Sequence, residues 1–231
     1  MIFPVHSPLV VGSVTTRPGL GLLARGKSQA DVVEVRVDAL LVEGITLEEI
    51  EAALQKRRLP VLLTLRIPAE GGRMAWKLKA RREGYLRLLP LVEAIDVELA
   101  TTAAMQPVIA AARRAGKTVV FSAHAIERPA SPAQVAKWIG QFDRQPGSIL
   151  KIAARIQSWR DLQQLAALLV NEPEWPIAVM GLGPYAAQSR SVLTALGSRL
   201  AYGYLDKAAA PGQPSAAEVR KMVGLVRGEL G

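Results

Sequence analysis

Ile149-Leu150-Lys151-Ile152-Ala153-Ala154-Arg155 is an apolar run of strand length with a lysine near its middle. Strands of a parallel sheet lie under helices and read as nearly continuous apolar runs, so this stretch predicts a buried strand of such a sheet. Little water is available there to dissolve the amine's charge. A lysine so placed is paired with a carboxylate, snorkels from the strand end, or is used chemically. Desolvation and neighbouring cations lower a lysine's pKa, and a lysine able to lose its proton is a nucleophile toward a ketone.

Outward from this run the same pattern repeats in both directions. Hydrophobic runs alternate with amphipathic segments in about eight βα units, which predicts a parallel sheet closed into a (β/α)8 TIM barrel. The predicted strands are Leu9–Thr15, Val32–Asp38, Pro60–Arg66, Ala94–Leu99, Thr118–His124, Ile149–Arg155, Pro176–Leu182 and Leu200–Tyr204. Thr46-Leu47-Glu48-Glu49, Ser158-Trp159-Arg160-Asp161 and Ser215-Ala216-Ala217-Glu218 have the form of capping boxes. Ser131-Pro132 adds a cap with proline at the first helical position, and Gly116 and Gly197 fall at expected helix ends. No linker or charge block divides the chain, so residues 1–231 read as one barrel domain. The first unit is weakest, because Pro18, Gly19 and Gly21 disfavour a helix between Arg17 and Lys27. A second irregular stretch, Ile67–Lys79, follows the third strand and contains Glu70-Gly71-Gly72; loops at strand C-termini are where barrels keep their sites.

With 231 residues, half of them hydrophobic, the chain is long enough to bury a large core. It has no cysteine, which excludes disulfides and thiolate chemistry and fits a reducing compartment. The stretch Met1-Ile2-Phe3-Pro4-Val5-His6 has no signal-peptide form, and no apolar run is long enough to span a bilayer, so a cytoplasmic protein without membrane contact is expected. The formal charge of +9 and pI near 10.2 raise the question of nucleic acid. Lys56-Arg57-Arg58, Arg81-Arg82 and Arg113-Arg114 lie on helical segments without interleaved aromatics, which predicts solvated faces, no nucleic-acid partner, and a field that draws in a small anionic substrate.

Strand two reads Val33-Glu34-Val35-Arg36-Val37-Asp38, and a period of two sends the valines one way and the charges the other. The outer face of a barrel lies under helices and must be apolar, so Glu34, Arg36 and Asp38 are expected inside. The same reasoning places Arg66, Asp96, Glu98, Ser122, His124 and Lys151 in the interior. His124 supplies acid/base capacity at a strand's C-terminal end, one strand before Lys151. With arginines for anion recognition, the set suggests iminium chemistry and proton abstraction beside the ketone of a carboxylate-bearing substrate. Gly181-Leu182-Gly183-Pro184 lacks the spacing of a dinucleotide fingerprint.

These residues also carry a family resemblance. Glu34-Val35-Arg36-Val37-Asp38, Thr64-Leu65-Arg66 with Glu70-Gly71-Gly72, Asp96-Val97-Glu98-Leu99, Ser122-Ala123-His124, Lys151-Ile152-Ala153, Ser189-Arg190 and Ala210-Pro211-Gly212-Gln213 occur in order over nearly the whole chain. In this the sequence resembles type I 3-dehydroquinate dehydratase, a (β/α)8 enzyme of the shikimate pathway. The resemblance implies that Lys151 forms a Schiff base with the C3 ketone of 3-dehydroquinate. It implies that His124 is general base and acid for syn elimination of water, and that Glu70 orients the histidine. Glu34, Arg36 and Arg66 would meet the ring hydroxyls, while Arg190 and Gln213 would hold the carboxylate. No metal or cofactor is required by that chemistry, and a homodimer is allowed. Three positions depart from the family's habit: Ala125 replaces a polar residue, Pro184 a lysine, and Ala209 a serine of the lid loop. Another Schiff-base aldolase barrel, or a non-catalytic barrel binding an anionic metabolite or RNA, are the rival readings of the residues.

Overall fold

In the computed structural model, which describes residues 7–26, 28–171, 174–208 and 212–228, strands and helices alternate along the chain. The strands are β1 (Leu9–Val14), β2 (Val32–Arg36), β3 (Val61–Thr64), β4 (Ala94–Glu98), β5 (Thr118–Ala125), β6 (Ser148–Arg155), β7 (Ile177–Leu182) and β8 (Leu200–Tyr204). The helices are α1 (Arg17–Leu20), α2 (Val37–Val42), α3 (Leu47–Gln55), α4 (Leu78–Leu88), α5 (Thr102–Arg114), α6 (Pro132–Gln141), α7 (Trp159–Asn171), α8 (Ala186–Ala195) and α9 (Ala216–Arg227). All strand pairs are parallel, and the ladder runs β8-β1-β2-β3-β4-β5-β6-β7 as an 8-stranded sheet. The architecture is a (β/α)8 TIM barrel.

Where β7 meets β8 the ladder gives way to single bonds. The Arg199 N–H donates to the Ile177 carbonyl at 2.9 Å. The Ser198 hydroxyl accepts from the Val179 N–H at 2.9 Å and lies 3.1 Å from the Val179 carbonyl. The two-residue period sorts side chains as strand geometry demands. Val33, Val35, Leu63, Ile95, Val97, Phe121, Ile152 and Val179 face outward into a core with Leu40, Ile50, Tyr85, Met105 and Leu165 from the helices. Leu9, Val11, Val32, Leu62, Ala94, Val120, Ile149 and Leu200 fill the barrel interior as an apolar floor. Ser13, Glu34, Thr64, Asp96, Ser122 and Lys151, all buried, follow these residues along their strands and make the interior polar toward the C-terminal ends.

The helix starts carry the expected caps. Thr46 with Glu49 and Ser215 with Glu218 form reciprocal capping boxes, Asp161 and Ser158 exchange the same bonds, and the Ser131 hydroxyl accepts from the Gln134 N–H. Gly116 and Gly197 adopt positive φ at helix ends. The first unit is a four-residue α1 capped by Thr16, followed by a 3-10 turn over Gly21–Ala24.

Two expectations are corrected. Strand β2 stops at Arg36, and Asp38 lies in the first turn of α2, where an acid is electrostatically favoured, instead of pointing into the barrel. Other strand ends differ by at most one or two residues. Arg81 is not on a solvated face: it is 3% exposed, its Nε donates to the Leu65 carbonyl at 2.9 Å, and its Nη2 pairs with Glu98. Arg57 and Arg113 pair with Glu93 and Asp143. Among the described residues no helix is long and apolar enough to cross a membrane. His6, Ala209, Ala210 and Pro211 lie outside the described residues.

Candidate active site

The C-terminal ends of the strands enclose a cavity of about 200 Å³. Lys151, His124, Glu70, Glu34, Arg36, Arg66, Arg190 and Gln213 all line it, so the structure brings together every site residue expected from the sequence. A larger groove of about 620 Å³, lined by Glu93, Arg113, Lys117 and Gln145, gathers no such set of chemical groups. Among the described residues no cluster of histidines and carboxylates is suited to a metal ion.

Lys151 is 3% exposed on β6, opposite Ser122 of β5 in the parallel register. Its Nζ donates to Asp96 Oδ2 at 3.0 Å and lies 3.5 Å from Glu34 Oε1 and 4.1 Å from the centroid of the Tyr202 ring. Both carboxylates are held from below and beside. Glu34 accepts from the Ser13 hydroxyl at 2.9 Å and the Thr64 hydroxyl at 3.1 Å. Asp96 accepts from the Ser122 hydroxyl at 2.5 Å and pairs with Arg66 at 2.8 Å. Burial works against its charge, but Arg66 and Lys151 hold the Asp96 carboxyl far below the usual range.

His124 stands two residues beyond Ser122 on β5, and its Nδ1 lies 2.7 Å from Glu70 Oε2. Glu70 reaches it from a turn that folds back over the barrel mouth. A 3-10 turn over Pro68–Glu70 ends at Gly71, whose φ of +86° suits glycine. Gly72 then passes so close to the Arg66 carbonyl that an added Cβ would sit 2.2 Å from its oxygen. Asp38 anchors both ends of this loop, accepting from the Arg66 N–H at 3.3 Å and the Arg73 N–H at 3.0 Å. Burial and the cations Arg66 and Lys151 push the His124 pKa well below the ordinary histidine value, favouring the neutral ring. Burial raises Glu70 to about 7 despite the nearby Arg66.

The arginines differ in what they have left to offer. Arg66 is 2% exposed and gives its guanidinium to Ser122, Asp96 and Glu98, and the carboxylates of Asp96 and Glu98 raise its pKa against the effect of burial. Arg36 forms a two-pronged pair with Asp38, at 2.9 and 2.8 Å, and donates to the Gly71 carbonyl at 3.1 Å. Arg190, buried in α8, donates to the carbonyls of Gly181 (2.6 Å) and Ala186 (3.2 Å) and, through Nε, to that of Tyr202 (3.1 Å). No carboxylate among the described residues pairs with it, and burial alone lowers its pKa to about 10. A buried cation with only dipoles around it is a ready partner for an anion.

Sequence reasoning missed Ser13, Met180 and Tyr202 as cavity residues and Asp38 as the loop anchor. A tyrosine in an apolar strand reads as core, and no sequence signal marks its position over Lys151. Of the departing positions, Ala125 packs into the outer core beneath the helices, and Pro184 lies in the turn between β7 and α8.

A family model described as Type I 3-dehydroquinase matches residues 11–229. A 3-dehydroquinate dehydratase of Methanosarcina acetivorans is 32% identical over 211 residues, which cover 86% of each chain. The crystal structure of the 3-dehydroquinate dehydratase from Aquifex aeolicus superposes with a TM-score of 0.80 at 26% identity, covering 94% of this chain and 98% of that one. A type I enzyme from Clostridium difficile, in a structure with covalently modified comenic acid, matches the fold with a TM-score of 0.83 at 21% identity over 97% and 94% of the chains.

Proposed function

The chain belongs to the type I 3-dehydroquinase family and is a hydro-lyase that dehydrates 3-dehydroquinate in the shikimate pathway; on that premise we propose that Lys151 is the Schiff-base nucleophile and His124 the general base and acid, oriented by Glu70. The observation that carries this reading is one cavity holding a buried amine on β6 and, on β5, an imidazole whose Nδ1 is engaged by Glu70 at 2.7 Å. Lys151 Nζ gives up one ammonium proton and adds to the C3 ketone; that proton returns to the carbinolamine oxygen, which leaves as water, and an iminium cation results. That cation is an electron sink, so the neutral His124 can remove a proton from C2, and an enamine forms. The same imidazole, now protonated, gives its proton to the C1 hydroxyl as it leaves. Both transfers fall on one face, which makes the elimination syn. Hydrolysis of the remaining imine releases 3-dehydroshikimate and restores Lys151.

In this reading Glu34, Arg36 and Arg66 meet the ring hydroxyls and Arg190 and Gln213 the carboxylate, supported by the place of all five on the cavity wall. The positive charge of +9 serves a small anion in preference to nucleic acid. The absence of cysteine supports a reducing cytoplasm. Exposed Val192 on α8, Leu196 just after it and Leu225 on α9 fit a homodimer.

Borohydride reduction in the presence of 3-dehydroquinate, followed by peptide mapping, tests the assignment. The adduct is expected on Lys151 and absent in Lys151→Ala; an adduct on another lysine, or none in the folded protein, overturns it. His124→Ala should still form the adduct while kcat falls by about 10²- to 10⁴-fold. Undiminished turnover in that variant would make the histidine a bystander.

A further inference from the structure

Tyr202 is 4% exposed on β8, beside the apolar floor, and lines the cavity with its ring centroid 4.1 Å from Lys151 Nζ. Its hydroxyl is buried and meets no hydrogen-bond partner among the described residues. Burial beside Glu34 and Asp96 keeps that hydroxyl un-ionised by pushing its pKa far up. The ring is the part of the side chain that meets the Lys151 amine. We propose that Tyr202 is a positioning residue for Lys151, its ring face stabilising the positive charge once the nitrogen has become a protonated Schiff base; this rests on the assignment of Lys151 made above.

The number of protons on the nitrogen decides which neighbours can hold it. As an ammonium, Lys151 has three N–H groups and can serve Asp96 at 3.0 Å and Glu34 at 3.5 Å together. As a protonated imine it has one, and one proton cannot satisfy two carboxylates at full strength. The charge is by then shared with the former carbonyl carbon. A ring face attracts that charge through its quadrupole and needs no proton to do so. Asp96 is moreover already engaged by Arg66 and Ser122, and Glu34 by Ser13 and Thr64. Of the groups around Nζ, the ring is the one that loses nothing when the ammonium becomes an iminium.

The test replaces the ring in steps. Tyr202→Phe keeps the ring and should hold kcat within about threefold, with an undiminished yield of borohydride-trapped Lys151 adduct. Tyr202→Leu should lower kcat about tenfold, more than it changes KM, and reduce the trapped fraction at fixed 3-dehydroquinate. Incorporation of 4-fluoro- and then 3,4,5-trifluorophenylalanine at position 202 withdraws electron density at nearly constant shape. Each added fluorine should lower log kcat further, an effect that mere packing does not produce, and this series decides the matter even if the leucine variant fails to fold. A flat fluorine series, or a phenylalanine variant as impaired as the leucine one, overturns the proposal. Failure to trap Lys151 in the unaltered protein would instead remove the Schiff-base assignment, and this inference with it.

Discussion

One proton between Glu70 and His124 decides which imidazole nitrogen is free to act as the proposed base. When Glu70 is ionised it accepts Nδ1–H, and Nε2 keeps a free lone pair. When Glu70 is protonated it donates to Nδ1, and the ring's own proton moves to Nε2, which can then no longer abstract one. Glu70 is raised to about 7 by burial, while His124 is lowered well below its usual value, so the group that titrates near neutrality is the carboxyl. kcat/KM should therefore climb with unit slope up to about pH 7 and level off above it. Glu70→Ala should lose this limb, remaining flat to below pH 6, and should cost about 10- to 100-fold at pH 8 through lost orientation. A limb at pH 7 that survives in Glu70→Ala would assign it to another group. At this scale the sequence was legible wherever a charge interrupts an apolar run, as at Lys151, Glu34 and Asp96. It was illegible where an apolar-looking or helical residue changes role through tertiary position: Tyr202 reads as core and Arg81 as surface, yet one lies over the Lys151 amine and the other pairs with Glu98.

The loop from Ile67 to Arg73 is the element on which the proposed chemistry hangs. Its path is dictated by close backbone approach: the Gly72 N–H donates to the Ile67 carbonyl at 2.9 Å, and Gly72 lies against the Arg66 carbonyl with no room for a methyl group. Gly72→Ala must displace backbone, and with it Glu70, without disturbing any strand. The expected result is a fall in kcat of about 100-fold with retained Lys151 labelling and a Tm close to that of the parent, since misplacement by about 1 Å is enough to cost that much. Wild-type kcat in Gly72→Ala would show that the turn can shift without moving Glu70. The eight strands were readable because burial on both faces forces continuous apolar runs, and the capping boxes because their chemistry is local. The end of β2 was not. Val35-Arg36-Val37-Asp38 keeps a period of two across the point where strand becomes helix, and only the contacts of Asp38 with Arg36, Arg66 and Arg73 show the chain turning away.

Across the whole molecule the barrel is held by ladders at every junction except that between β7 and β8, and Arg190 sits at this junction. Its guanidinium bonds the Gly181 carbonyl of β7 and the Tyr202 carbonyl of β8, so the proposed carboxylate clamp also ties the sheet's two ends. Its burial without an acidic partner among the described residues leaves a cation that a bound anion would relieve. Lysine keeps the charge but cannot reach both carbonyls from one planar fork. Arg190→Lys should lower stability by about 2–4 kcal/mol through lost bonds from a charged group, on the order of 5–15 °C in Tm for a chain of this size. The clamp is measured separately. A ligand at 100 times its Kd adds roughly 2.7 kcal/mol, so 3-dehydroshikimate should raise the Tm of the parent, and at the same concentration raise that of Arg190→Lys much less. A variant with depressed Tm but an undiminished ligand shift and unchanged KM would leave Arg190 as a seam residue alone and place the carboxylate elsewhere. A variant with unchanged Tm and a lost ligand shift would mean that Arg199 and Ser198 suffice to close the barrel, leaving the guanidinium to the substrate.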